Sequence, residues 1–257
     1  MRIRNSIAPI AFLLGLMLFT HACSTISSRE TPIVRVVRDY SPTVVNIRTE
    51  KIVDLKLYPE WGQYGEQLDT FFKQYFGENY SAGTLKYKTI GSGIILDPHG
   101  LIVTNAHVIQ KASRIFVVLS DGTILPAKTL GMNRSTDLAI LKTDLPYVVQ
   151  ELKLGDIRDV MIGETVIAIG NPLGLENSVT VGVISGKDRT FSSTQCEYVC
   201  SGLLQTDASI NPGNSGGALL NLDGELIGVN LAVAQNAQNI GFAIPADRVA
   251  ELLEKFK

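Results

Sequence analysis

Histidine is scarce in this 257-residue chain: His21, His99 and His107 are its three. That scarcity makes the stretch TDASINPGNSGGA testable, because Ser215 within it needs a base before it can do chemistry. A serine hydroxyl is a weak nucleophile at neutral pH and attacks a carbonyl only when a neighbouring group, normally an imidazole, takes its proton. The string also fits a Gly-rich turn between strands, and it fits a strand-to-helix nucleophile elbow of the form G-x-S-x-G. The elbow requires an acid and then a histidine after the serine, and no histidine follows Ser215. It also requires a helix, whereas GGALLNLDGELIGV reads as a hairpin. The elbow is excluded.

The remaining order is base, acid, nucleophile. His21 falls in an N-terminal leader and His99 in the tip of a DPHG turn, so His107, in TNAHVI after an apolar strand, is the candidate base. The acid must orient its imidazole from a fixed backbone. Asp121 is used by a tight turn, Asp144 stands before Leu-Pro, and Asp137 in NRSTDLAIL opens a strand directly. Asp137 is the best placed of the three, although spacing alone leaves the choice open.

The elements that must position these groups are mostly strands. PTVVNIRTE, SGIILD, LIVTN, LAILKTD, GETVIAIG, SVTVGVISG, GALLN, GELIGVNLAV and IGFAIP are short apolar runs separated by turn residues. DPHG places Pro and Gly where a β-turn wants them, and Asp121-Gly122 sets a hairpin. From Ile33 onward, outside residues 51–88, only ADRVAELLEKFK has clear helical spacing. Strands without intervening helices predict barrels or a sandwich rather than a doubly wound sheet. Residues 51–88 break the rhythm with nine of the eighteen aromatics, and Leu68, Phe72, Tyr75 and Phe76 predict a helix ended by Gly77. At 45% hydrophobic and 19% charged, the chain can bury a core, and a net charge of −2 gives no electrostatic basis for nucleic-acid binding. No phosphate-gripping Lys-Ser/Thr loop is present either.

The N-terminus reads as an export signal over residues 1–22: two arginines, an apolar stretch from Ile7 to Phe19, then Thr-His-Ala before Cys23. The same place resembles a bacterial lipoprotein box, with Cys23 as the lipidated residue, although Thr20 and His21 depart from its usual leucine and small residue. A flexible tether is expected over residues 23–32. Cys196 and Cys200 make a poor zinc site without a nearby histidine; they either close a small disulfide or stand as two thiols.

TNAHVI, STDLAILK, AIGNPLG, QTDASINPGNSGGALLN and IGFAIP together resemble the HtrA/Deg family of serine proteases from about residue 33 to residue 257. The resemblance implies an all-β fold of two six-stranded Greek-key barrels of the chymotrypsin/trypsin type with a short C-terminal helix. The barrels would span about 33–145 and about 150–245, and the helix 246–257. It implies His107 as general base, Asp137 as orienting carboxylate and Ser215 as nucleophile. The oxyanion hole would be built at Gly213, Asn214 and Ser215, with Gly213 and Ser215 as the donors. Ile210 and Val233 would line the pocket for the residue before the cut. It further implies an ATP-independent endopeptidase of the bacterial periplasm or envelope acting on unfolded or damaged polypeptides, without a cofactor or metal, as a homotrimer; the lipoprotein-like box would add a membrane tether through Cys23. Typical members continue into PDZ domains, whereas this chain stops at Lys257, so a form without one is expected. The alternative function is a chaperone-like binding protein whose protease site rests inactive.

Overall fold

The computed structural model describes residues 29–54, 80–81, 84–171, 177–191, 200–211, 213–233 and 239–255. The expected export signal over residues 1–22, Cys23, Cys196 and the expected helix over residues 68–77 lie outside the described residues. Among the described residues thirteen strands run in chain order: β1 Val44–Asp54, β2 Tyr80–Ser81, β3 Thr84–Ile95, β4 Leu101–Asn105, β5 Arg114–Val118, β6 Ile124–Asn133, β7 Leu138–Lys142, β8 Thr165–Gly170, β9 Ser178–Phe191, β10 Cys200–Thr206, β11 Ala218–Leu220, β12 Leu226–Val233 and β13 Gly241–Pro245. Among the described residues three α-helices accompany them, α1 Pro32–Tyr40, α2 Ala106–Ile109 and α3 Ala246–Glu254, with a 3-10 turn over Ser41–Thr43 after α1.

In the first half the order β1-β5-β6-β7-β4-β3 closes through the β1–β3 pairing, and β2 hangs on β3. In the second half β10-β13-β12-β11-β8-β9 closes into a barrel. Every pairing between strands is antiparallel. The two rings visit their six strands in the same sequence, so one Greek-key architecture is used twice. This is the all-β, two-barrel fold expected from the sequence.

The burial pattern explains why the strands read as apolar runs rather than alternations. Val45, Ile47, Ile95, Ile102 and Leu141 fill the first barrel. Val166, Ala168, Leu204, Leu219 and Ala243 fill the second. Their immediate neighbours Val44, Ile94, Val103, Ile140, Ile167, Ile169, Ala218 and Ile244 face the other way and form one core between the barrels. Strands buried on both faces lose the period of two. Each such aliphatic side chain contributes roughly 1.5–3 kcal/mol on burial, so the barrels are welded rather than hinged. The connection between them is pinned on both sides: Leu152 N–H donates to Leu96 O, and Gly155 N–H to Leu226 O.

α1 was not expected from the sequence. Its β-branched residues suggest a strand, yet Ile33, Val36, Val37 and Tyr40 recur at helical spacing and pack on the inter-barrel core. Pro32 opens it, and the Thr31 hydroxyl accepts from Val34 N–H at 3.3 Å. Pro32 is also the last residue of the expected tether, which is described only from Arg29 onward. α3 falls within the predicted C-terminal helix, with Val249 and Leu252 buried.

α1 docks against the β11–β12 turn. Gly224 there has φ +79°, and a methyl group on it would lie 2.1 Å from the Tyr40 ring. Gly224→Ala is therefore expected to cost about 2 kcal/mol or more, from left-handed backbone strain plus displacement of the ring. In a domain of this size that lowers Tm by about 4–8 °C. Calorimetry checks it: in Tyr40→Ala the same glycine substitution should cost less, since the two residues are in contact.

Candidate active site

β4 ends at Asn105 and the chain turns at once into α2, which puts His107 in a rigid first turn rather than a loop. His99, the discarded candidate, is exposed at the tip of the turn between β3 and β4. Asp137 precedes β7, at the end of a four-residue loop organised by Asn133. The Asn133 side chain accepts from Ser135 N–H at 3.0 Å and from the Ser135 hydroxyl at 2.7 Å. Asp137 itself has φ +53°, a left-handed conformation that aspartate tolerates better than most residues. Its carbonyl is tied down by Ala106 N–H at 3.0 Å and Asn105 Nδ2 at 3.1 Å.

The two side chains meet directly. Asp137 Oδ1 accepts from His107 N–H at 2.8 Å, and Oδ2 lies 2.6 Å from His107 Nδ1. The Asp137 side chain is 8% exposed and that of His107 20%. A carboxylate only accepts, so in the neutral imidazole Nδ1 carries the ring hydrogen and Nε2 the lone pair. That tautomer is the one a general base needs.

Ser215 stands on the second barrel, in the turn before β11. Its hydroxyl donates to Leu231 O at 2.8 Å, and among the described residues no hydrogen bond joins it to His107. The backbone around it divides cleanly. Asn214 N–H donates to Asn211 O, Gly216 N–H to Asn230 O and Gly217 N–H to Asn214 O. Gly213 N–H and Ser215 N–H have no acceptor among the described residues. Of the three residues expected to build the oxyanion hole, Asn214 thus has its own N–H engaged within the turn. Gly216 has φ +85°, and a methyl group there would sit 2.2 Å from Ser92 O, so the turn passes against the first barrel where only glycine fits. Asn230 holds the returning strand: its N–H donates to Gly217 O at 2.8 Å and its Nδ2 to Ala218 O at 3.0 Å.

Ile210 is buried, and a methyl group on Gly241 would come within 3.0 Å of its Cδ1. Val233 pairs with Gly241 across β12 and β13, so Ile210 and the Val233 backbone converge on one glycine at the barrel end. The side chain of Cys200 is undescribed along with all of Cys196, so their pairing lies outside the described residues. Among the described residues no group of three or more His, Cys, Asp or Glu side chains could hold a metal ion. No described helix is long and apolar enough to cross a membrane.

Sequence reasoning missed buried polar residues of the first barrel that tie it to the second, one of them to this turn. Ser92 on β3 donates through Oγ to Gly213 O at 2.7 Å, and its N–H donates to Ser215 O at 2.8 Å. Asn46 on β1 reaches Asn171 O at 2.8 Å through Nδ2. A signal for the first was present: a serine between two glycines, GSG, inside a strand marks close backbone approach.

The profile of the trypsin-like peptidase domain matches residues 91–229. The chain is 43% identical over 228 residues to a Synechocystis protein named as serine protease HhoB, with 86% of this chain and 52% of that protein covered. It is 39% identical over 236 residues to a DegP-like periplasmic serine endoprotease of Halomonas elongata, covering 86% and 48%. The chain therefore spans about half the length of the curated relatives it matches. Among solved structures it superposes on an alanine-for-serine variant of the HtrA-type protease AlgW with a decapeptide, at TM-score 0.70 and 34% identity over 87% of this chain and 66% of that one. AlgW with a tripeptide gives TM-score 0.67 at 32% identity, covering 87% and 62%. The chain belongs to the family of trypsin-like peptidase domains, within the HtrA/Deg type of serine protease.

Proposed function

We propose that this protein is a serine endopeptidase that cleaves unfolded or damaged polypeptides by acyl transfer, without ATP, in the bacterial periplasm or envelope. The observation that carries the reading is the Asp137 carboxylate accepting both the backbone and the ring N–H of His107. In the reaction His107 Nε2 takes the Ser215 proton as Oγ bonds to the scissile carbonyl carbon. The carbonyl electron pair moves onto oxygen, where Gly213 N–H and Ser215 N–H receive it. Each such donor contributes about 2.7–4 kcal/mol of barrier lowering. The imidazolium then protonates the leaving amine, the C–N bond breaks, and water repeats the sequence to release the acid and restore Ser215. The names of relatives as periplasmic endoproteases support the compartment. The expected homotrimer and the anchor at Cys23 belong to the same reading, and the mass of the membrane-extracted protein tests the anchor.

A second reading, a polypeptide-binding protein with a resting protease site, draws on one observation: the Ser215 hydroxyl is directed to Leu231 O rather than to His107. A fluorophosphonate probe with intact-mass detection separates the two. One adduct on Ser215, appearing along with casein cleavage, is the expected result. An unlabelled, folded protein that retains casein without cutting it establishes the binding protein instead.

A further inference from the structure

Ser92 is fully buried at the seam between the barrels, and its polar atoms are all engaged. Its N–H donates to Ser215 O at 2.8 Å. Its hydroxyl donates to Gly213 O at 2.7 Å and accepts from Asn171 N–H at 2.8 Å. Its carbonyl accepts from the Thr104 hydroxyl at 2.6 Å, which fixes it within the first barrel. One residue of the first barrel therefore grips the carbonyls of the two residues whose N–H groups have no acceptor among the described residues.

The geometry points to Ser92 as a positioning residue for the reaction, one that holds Gly213 N–H and Ser215 N–H in register for the oxyanion; this rests on the protease reading above. The Gly213 carbonyl and Asn214 N–H belong to one peptide plane, which lies between the two donors. Asn214 N–H donates to Asn211 O, and the Ser92 hydroxyl takes the carbonyl end, so both ends of that plane are held. Without the second hold the plane can rock, and the donors no longer aim at one point. Preorganisation is what such donors contribute, because they need no reorientation as charge develops. The task suits a hydroxyl: a single oxygen donates to Gly213 O while accepting from Asn171 N–H, which neither a methyl nor an ammonium can do.

The test compares Ser92→Ala with the wild-type chain and with Thr143→Val. Thr143 supplies a matched control, since its buried hydroxyl donates to Pro126 O at 2.8 Å within the first barrel, away from the turn. Three readouts are taken: kcat and KM on a fluorogenic casein, Tm, and amide exchange of residues 213–217 by mass spectrometry. Losing a whole oxyanion donor costs about 10²–10³ in kcat, so loosening two should lower kcat by about 10- to 100-fold. KM should stay within about twofold, because the effect is confined to the transition state. Exchange over 213–217 should accelerate, and Thr143→Val should lower Tm while retaining kcat. The proposal is overturned if Ser92→Ala keeps kcat within twofold of wild type, if the loss sits in KM, or if Thr143→Val reproduces it. Should wild type prove as inert as Ser215→Ala, the protease reading fails and the exchange measurement alone decides: acceleration upholds the holding role of Ser92, and unchanged exchange overturns it.

Discussion

Ser215→Ala is expected to lower kcat on casein by about 10⁶-fold while leaving KM nearly unchanged. The alanine keeps the shape of the turn, since Gly216 N–H and Gly217 N–H retain their acceptors and Ser92 N–H still reaches the carbonyl of residue 215. What disappears is the oxygen proposed to form the acyl bond, so substrate binding should survive and chemistry should not. The hydroxyl also leaves Leu231 O, a bond worth about 0.5–1.5 kcal/mol, which makes any loss of stability small. The measurement is initial rates on casein with active-site titration by the fluorophosphonate, and Tm as the folding control. Equal rates for wild type and variant would remove Ser215 from the reaction.

Asp137→Asn should cost about 10⁴ in kcat, for a different reason. The carboxylate accepts two N–H groups of His107, one on each oxygen. A carboxamide has a single acceptor oxygen, so its NH₂ must face either the backbone N–H or ring Nδ1. Facing the ring, it drives the hydrogen from Nδ1 to Nε2, and the lone pair that should receive the Ser215 proton is gone. Asparagine is nonetheless a good occupant of φ +53°, so the loop Arg134–Asp137 should keep its path and Tm should fall only slightly. Nitrogen chemical shifts of His107 report the tautomer directly. A variant with the wild-type tautomer and kcat within tenfold of wild type would show that Asp137 is not the orienting group.

The sequence was most readable where local chemistry and tertiary role coincide. Turn residues at Asp97–Gly100, Asp121-Gly122 and Asn221–Gly224 punctuate the strands, and the apolar runs between them are the strands themselves. α1 was obscured because Ile33, Val34, Val36 and Val37 favour strands intrinsically, and only docking on the barrel core makes the helix worthwhile. At the candidate site, histidine scarcity isolated His107 from the residues alone. Asp137 could not be chosen from two other aspartates, because its left-handed backbone and the Asn133 turn that presents it exist only in three dimensions. Ser92 illustrates the deeper limit: its partner Gly213 is 121 residues away, and nothing in a periodicity announces a hydrogen bond across that distance.

The division of labour between the barrels has a consequence for the chain's own biosynthesis. Strands β1 to β7, with His107 and Asp137, are complete by Lys142, while Ser215 lies beyond, in a barrel that closes only when β10 pairs with β13, Gly241–Pro245. On the proposed reading, a chain made from its N-terminus therefore carries its base and its acid long before its nucleophile. The last structured strand is also the one that finishes the ring around it. On the same reading, a half-made molecule lacks the nucleophile with which it could cut its neighbours. Self-restraint is built into the order in which the halves are written.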